Sequence, residues 1–379
     1  MKHRDSGQPI MRIGIDGAPL ATVKTGVGHY TNELARELAL AEPDGEFELI
    51  SYRHLDLEDA ANFPPNLSTV QVPRRSRWMA IGLPIYARQR QLTLFHGTNY
   101  EVPLWAGCAT VVTIHDLSLL LHAETHRPAL VRRAKRRLPL MTRIATRIIT
   151  VSESAKREIC EHLKVPAQKV VVVPNAPRSA FRPAADTSAT RRRLGIEDDF
   201  VLFVGTVEPR KNLATLIRAF DDLLRTTSLS PQLVIAGPEG WLCEDLLDPS
   251  HNEALRNRVL FTGYLADDDL RTLYSSCRAF IYPSIYEGFG LPPLEAMACG
   301  AAVITSRIPA IVETVGDAAR LIDPKASQEL TASLVEFLTD NQAREHFAAA
   351  GLKRAAEFTW QRTARLTLEV YRDVLNNTH

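Results

Sequence analysis

The sequence predicts an α/β protein built from two doubly wound domains that face each other across a cleft. Three observations carry that expectation. The chain has 379 residues, enough for two cores. Short Val/Ile-rich runs alternate with helical patterns, as in a parallel sheet with helices on both faces. The alternation stops at the aperiodic stretch "PNAPRSAFRPAADTSA" (174–189) and then starts again.

In chain order, "MRIGID" (11–16) reads as a buried strand, and "GVGHYTNELARELAL" (26–40) as a helix with Tyr30, Leu34 and Leu38 on one face. Strands are expected at 47–52, 93–98, 109–116, 147–152 and 169–175. A helix follows the fourth of these, with Ser152 as its cap. Beyond the linker, strands are expected at 200–206, 232–237, 258–263, 278–284, 301–306 and 318–323, with helices at 212–224, 268–277 and 292–299. The chain closes with one helical run, 328–358, and a last segment, 359–377. The expected division is 1–178, 179–360 and a terminal helix, 361–379, returning to the first domain.

Composition sets limits. The chain is 45% hydrophobic and 23% charged with a net charge of +1, which argues against nucleic acid as a partner. Charge is nevertheless uneven: residues 71–147 hold thirteen Arg/Lys, Arg74, Arg75 and Arg77 among them, against three acids, which predicts one basic face. Five scattered cysteines (Cys108, Cys160, Cys243, Cys277 and Cys299) without CxxC spacing read as free thiols in a reducing cytosol. The first ten residues read as a loose leader, too polar for a signal peptide.

The chemistry gathers at strand ends, where open parallel sheets bind their ligands. "TVEPRKN" (206–212) puts Arg210 and Lys211 just before a helix, where positive charge opposes the macrodipole by up to ~1 kcal/mol unless an anion is bound. "SIYEGFGLPPLEAMACG" (284–300) holds Glu287 and Glu295 with seven residues between them. Gly288 and Gly290 allow close backbone approach, and Pro292 and Pro293 suit a first helical turn. The N–H groups of Phe289, Gly290 and Leu291 are then candidates for a phosphate, although the Walker Lys-[ST] is missing. Carboxylates accept hydrogen bonds from hydroxyls. The expectation is therefore that Glu287 and Glu295 hold ribose or sugar hydroxyls while Arg210 and Lys211 hold phosphates. No metal is expected, because further ligands do not lie nearby in sequence. In the first half, "TGVGHY" puts Gly26, Val27 and Gly28 at the opening of a helix, without the third glycine of a dinucleotide fingerprint. "TIHDLS" ends a strand with His115 and Asp116, which read either as ligand contacts or as a core histidine and a cap.

Taken in order, "MRIGIDGAPL", "TGVGHYTNELARELA", "FHGTNYEVP", "TIHDLS", "ITVSESAKREI", "VVPNAP", "VGTVEPRKNL", "FTGYL" and "EGFGLPPLEAMACG" resemble the retaining glycosyltransferases of family 4, which have the two-domain GT-B fold. The likeness runs from Met11 over nearly the whole chain. It implies that Glu295 binds the nucleotide ribose, that Glu287 with the backbone of Phe289, Gly290 and Leu291 contacts the transferred sugar and the diphosphate, and that Lys211 binds the diphosphate. Gly263 and Tyr264 would lie near the base, Gly28 near the sugar phosphate, and His115 and Asp116 near the donor sugar. Many members carry Arg where this chain has Thr206, so Arg210 is the expected substitute.

The implied function is transfer of a hexose, expected to be mannose from GDP-mannose, to a glycan or polyprenyl-diphosphate-linked acceptor in surface polysaccharide synthesis. No cofactor is implied. The basic segment 126–147 resembles a face that approaches anionic membrane, which implies a cytoplasmic protein at the inner face of the cell membrane. A sugar-nucleotide epimerase of the same fold, an NAD-dependent oxidoreductase and a catalytically idle nucleotide-sugar binder are the competing readings.

Overall fold

The structure, a computed structural model, describes residues 11–21, 26–55, 57, 62–72, 78–196, 199–240, 255 and 257–377. The expected leader (1–10), Arg74, Arg75, Arg77 and Cys243 lie outside the described residues.

Two separate parallel sheets form. The first contains β1 (Arg12–Asp16), β2 (Glu46–Ser51), β3 (Leu67–Gln71), β4 (Leu94–Gly97), β5 (Ala109–Ile114), β6 (Arg147–Thr150) and β7 (Val170–Val172) in the order β3-β2-β1-β4-β5-β6-β7. The second contains β8 (Phe200–Val204), β9 (Gln232–Ala236), β10 (Val259–Gly263), β11 (Ala279–Tyr282), β12 (Val303–Ser306) and β13 (Arg320–Ile322) in the order β10-β9-β8-β11-β12-β13. Strand order reverses between β1 and β4 and again between β8 and β11, and a crevice opens at each reversal.

The local reasons follow the sequence. β5 and β8 are buried along their whole length, as expected of strands covered on both faces. β3 is an edge strand with only Leu67 buried, which is why its alternation was too faint to read beforehand. The run 328–358 is two helices, not one. Ser327–Thr339 ends at Asp340, whose carboxylate accepts from Ala343 N at 3.0 Å and caps Asn341–Ala355.

The final helix, Trp360–Asn376, packs on the first sheet beside helix Gly26–Ala41. Trp360, Ala364, Leu368, Tyr371 and Val374 enter the core formed by Ile13, Tyr30, Leu34 and Phe47. A buried polar chain ties it in: His96 lies 2.7 Å from both Tyr371 OH and Thr113 Oγ1, and Thr113 lies 3.0 Å from Tyr30 OH. Burial pushes the His96 imidazole down to about 3, so it stays neutral.

The two domains touch around one seam. Ser152 Oγ caps helix Glu153–Leu163 by accepting from Ala155 N, and donates to the Gly288 carbonyl at 2.7 Å. Glu313, from the second domain, accepts from Glu153 N and Ser154 N at 2.7 and 3.1 Å. Tyr286 OH donates to Glu158 at 2.5 Å and accepts from Leu117 N at 2.9 Å. Gly288 is obligatory here, because a Cβ at that position would sit 1.9 Å from the His115 carbonyl oxygen.

Candidate active site

The strand ends beside both reversals open onto one cavity of about 450 Å³ between the domains. Gly26, Val27, His115 and Asp116 line it from the first domain. Arg210, Lys211, Tyr264, Glu287, Glu295 and the stretch Phe289–Leu291 line it from the second. Two predicted residues are not on that wall. Gly28 lies buried inside helix Gly26–Ala41, and Gly263 ends β10, where its carbonyl accepts from Gly237 N at 2.8 Å.

Beyond β8, the chain turns through Pro209–Lys211 and stops at Asn212, whose φ is +59°. Asn212 Nδ2 donates to the carbonyls of Pro283 and Pro324 at 3.0 and 2.7 Å, which fixes the turn against the loop after β11. Arg210 and Lys211 are thereby delivered to Glu287. Lys211 Nζ donates to Glu287 Oε1 at 2.6 Å and to Tyr282 OH at 2.5 Å. Arg210 Nη1 lies 3.1 Å from Glu287 Oε2 and donates to the Tyr286 carbonyl at 2.9 Å, while its Nη2 reaches Glu208 at 2.6 Å. Tyr282 OH and Ser284 Oγ also donate to Glu287 Oε1, at 2.9 and 2.7 Å.

This pairing adds to the expectation for Glu287: its carboxylate lies directly between the two cations. Burial acts to raise the Glu287 carboxyl, but Arg210 and Lys211 outweigh it and hold the group at about 2. Burial and the neighbouring Arg210 charge lower Lys211, against the pull of Glu287. Arg210 is raised: burial opposes its charge, and Glu287, Asp116 and Glu208 more than compensate. The cluster therefore carries two cations against the two carboxylates Glu208 and Glu287, in a place largely closed to water.

Gly290, with φ +105°, opens helix Leu291–Ala298, and Pro292 and Pro293 occupy its first turn. A Cβ at Gly290 would also meet the Ile311 side chain at 2.5 Å. The positive end of this helix thus faces the cavity beside the cation pair.

On the opposite wall, His115 Nε2 lies 2.9 Å from the Thr98 carbonyl. Burial lowers its basicity, so the ring is neutral with its proton on Nε2, and Nδ1 is the bare nitrogen. Asp116 Oδ1 accepts from Ser118 N two residues on at 2.9 Å, a turn contact rather than a helix cap, since the cap position of Ser118–Leu121 is Leu117, and Asp116 lines the cavity.

Glu295 brings in a residue that sequence reasoning passed over. Arg178, in the connection between the domains, donates from Nε and Nη2 to the two Glu295 oxygens at 2.8 and 3.0 Å. Its Nη1 reaches Asp267 at 2.6 Å and lies 3.2 Å from His29 Nε2 of the first domain. The guanidinium covers the Phe181 ring at 4.2 Å. The one available signal was an arginine, one of two with Arg182, in a Pro/Ala stretch. Among the described residues no group of three or more His, Cys, Asp or Glu is placed to hold a metal ion. Cys108, Cys160, Cys277 and Cys299 are unpaired thiols.

Comparison with known proteins agrees with this architecture. Residues 24–176 match Glycosyltransferase Family 4, and residues 186–354 match Glycosyl transferases group 1. The chain is 30% identical over 387 aligned positions to O-antigen chain mannosyltransferase B of Escherichia coli, covering 96% of this chain and 100% of that one. It is 32% identical to the serotype-specific mannosyltransferase WbdA of Escherichia coli over 75% of this chain, which spans 36% of that longer protein. Among solved structures, sucrose-phosphate synthase from Thermosynechococcus elongatus superposes with a TM-score of 0.78 at 22% identity, covering 97% of this chain and 100% of that one. Anabaena HepE in complex with UDP and glucose superposes with a TM-score of 0.73 at 20% identity, covering 96% and 100%. The matched halves meet at the connection that carries Arg178, and the chain belongs to the GT-B glycosyltransferases, joining a family 4 amino-terminal half to a group 1 carboxy-terminal half.

Proposed function

We propose that this glycosyltransferase moves mannose from GDP-mannose to a glycan or lipid-linked acceptor in surface polysaccharide synthesis, with retention of anomeric configuration. The first domain binds the acceptor and the second the nucleotide sugar. The carrying observation is the Arg210–Lys211 pair, Lys211 buried and Arg210 half-buried, beside the start of helix Leu291–Ala298, at the wall of the interdomain cavity. That arrangement suits a diphosphate leaving group, whose negative charge grows as the bond to the anomeric carbon breaks. The mannosyltransferase relatives support the choice of sugar.

In this reading the electron pair of the breaking bond passes to the diphosphate oxygen. An acceptor hydroxyl attacks the anomeric carbon on the same face, and its proton goes to the departing diphosphate. Lys211 and Arg210 stabilise that charge. Glu287 fixes both cations and faces the transferred sugar, Glu295 receives the ribose hydroxyls, and Tyr264 lies by the base. His115 and Asp116 approach the donor sugar from the first domain. Cations fixed in the protein supply the charge compensation, so full activity in EDTA is expected and a strict Mg²⁺ requirement would overturn that point.

The test is incubation with GDP-mannose and a mannose-terminated acceptor, with the product linkage assigned by NMR. An α-linked product from the α-linked donor is expected. Turnover of UDP-glucose without turnover of GDP-mannose would refute the donor, and a β-linked product would refute retention.

The same proposal places the enzyme at the inner face of the cell membrane. Helix Pro128–Ile144 exposes Arg132, Arg133, Lys135 and Arg136 together with Leu130 and Leu140. Each cation adds about 1 kcal/mol near an anionic leaflet. Among the described residues no helix is long and apolar enough to cross a membrane. Co-sedimentation with anionic vesicles, reversed by salt, is expected; no binding at low salt would exclude this docking.

A further inference from the structure

Tyr286 precedes Glu287 in the loop after β11, and its side chain crosses the seam between the domains. The residue is 7% exposed. Its hydroxyl finds its partners in the first domain, accepting from Leu117 N at 2.9 Å and donating to Glu158 at 2.5 Å. The His122 ring lies against the phenol, with 4.7 Å between centroids. Leu117 holds the cap position of the short helix Ser118–Leu121, so its N–H has no acceptor within that helix. It directly follows His115 and Asp116, which line the cavity.

The main chain of the same loop is tied to the cation pair. Ile285 N donates to the Arg210 carbonyl at 3.0 Å, and Arg210 Nη1 donates to the Tyr286 carbonyl at 2.9 Å. One residue therefore joins two walls. Its backbone holds the cations and carboxylate of the second domain, and its hydroxyl holds a strand end of the first. The connection between the domains is fastened separately. Thr363 Oγ1 and Trp360 Nε1 of the last helix donate to the Pro174 and Pro177 carbonyls at 2.8 and 3.0 Å. Of the seam hydrogen bonds among the described residues, the one from Leu117 N to Tyr286 reaches the segment 115–117; those of Ser152 and Glu313 do not.

We propose that Tyr286 is a positioning residue for transfer: its hydroxyl sets the register of Glu287 and the Arg210–Lys211 pair against His115 and Asp116. This rests on the donor reading given above, in which the transferred sugar is held from both domains. Arg210, Lys211 and Glu295, the groups that face the nucleotide, all belong to the second domain, so nucleotide affinity does not depend on the register. The geometry of the breaking bond does, because the sugar touches both walls. A misplacement of about 1 Å at such a site costs on the order of a hundredfold in rate.

The test compares Tyr286→Phe, Glu158→Gln and Glu158→Leu in the full chain. Calorimetric titration with GDP gives nucleotide affinity, and steady-state transfer from GDP-mannose gives kcat and KM. Tyr286→Phe keeps the ring and loses the hydroxyl. Its GDP affinity should stay within about twofold of wild type, while kcat falls about ten- to hundredfold. Glu158→Gln keeps an acceptor for the phenol and should retain most of the wild-type kcat; Glu158→Leu should lower kcat toward that of Tyr286→Phe. Adding Glu158→Leu to Tyr286→Phe should cost little more, because both remove one shared interaction. A wild-type kcat in Tyr286→Phe overturns the proposal, even with a lowered melting temperature. So does a loss of GDP affinity that matches the loss of kcat, the mark of a general disturbance of the second domain. Where Tyr286→Phe does not fold, the Glu158 pair decides, and equal kcat in the Gln and Leu variants overturns the proposal. A wild type that turns over UDP-glucose and not GDP-mannose refutes the donor reading, and the same comparison on UDP-glucose then decides the role of Tyr286.

Discussion

Glu287→Gln separates the charge of the central carboxylate from its shape. In the folded protein the Glu287 carboxyl is drawn from its ordinary 4.5 to about 2, because Arg210 and Lys211 outweigh its burial. At about 1.4 kcal/mol per pKa unit, that preference for the charged form is worth on the order of 3 kcal/mol. The folded value is depressed, so this stabilisation is complete above about pH 4.5 and disappears as pH falls through about 2. Glutamine keeps the volume and loses the charge, leaving Arg210 with Glu208 as its contacting carboxylate and Lys211 without the Glu287 charge it pairs with. Urea unfolding followed by circular dichroism at pH 7 should show the midpoint lowered by about 1 M. The difference from wild type should hold down to about pH 5 and shrink below it. Nucleoside diphosphate binding should persist or tighten, since the cations lose a competing anion, while transfer falls. Equal stability of variant and wild type at pH 7 would refute the argument that this carboxylate neutralises the pair.

Lys211→Ala should lower kcat/KM for the donor by about 10²–10³ through lost charge stabilisation, read in steady-state assays of GDP release. Arg178→Gln leaves the Glu295 carboxylate buried without its fork. It should cost about 3–5 kcal/mol in unfolding and weaken GDP binding, and Arg178→Lys should recover only part of both. Gly288→Ala drives a Cβ to within 1.9 Å of the His115 carbonyl, so the domains must part. Small-angle scattering should report a larger radius of gyration, and activity should collapse with secondary structure intact. Glu313→Ala removes two acceptors from the first turn of helix Glu153–Leu163; a loss of about 1 kcal/mol in unfolding is expected.

The elements that could be read from the sequence are those whose signal is local. Buried runs such as "FVLFV" and "ATVVTI" announce parallel strands on their own, and the glycine and two prolines before Glu295 announce a helix opening toward a ligand. The Arg210–Lys211 turn was legible for the same reason, as charge in a strand-end loop. What could not be read depends on partners distant in the chain. Arg178 finds Glu295 117 residues later and Asp267 89 residues later, so nothing adjacent marks it. β3 hid because an exposed edge strand needs little apolar alternation. Two carboxylates with seven residues between them suggested similar tasks, yet one meets two cations beside a strand end and the other an arginine from the connection.

The return of the last helix to the first sheet also sets an order of events during synthesis. Trp360, Ala364, Leu368 and Tyr371 complete the core that Ile13, Tyr30 and Phe47 begin, while the described core residues between 200 and 355 pack around the other sheet. A ribosome releasing this chain has made the whole second domain before the first can bury its apolar helix face. The second domain, continuous in sequence, has all it needs to fold first, although it emerges later. The first must wait, part-formed, for its final seventeen-residue helix, and the fastening of Pro174 and Pro177 is the step that finishes both the domain and the wall of the cavity.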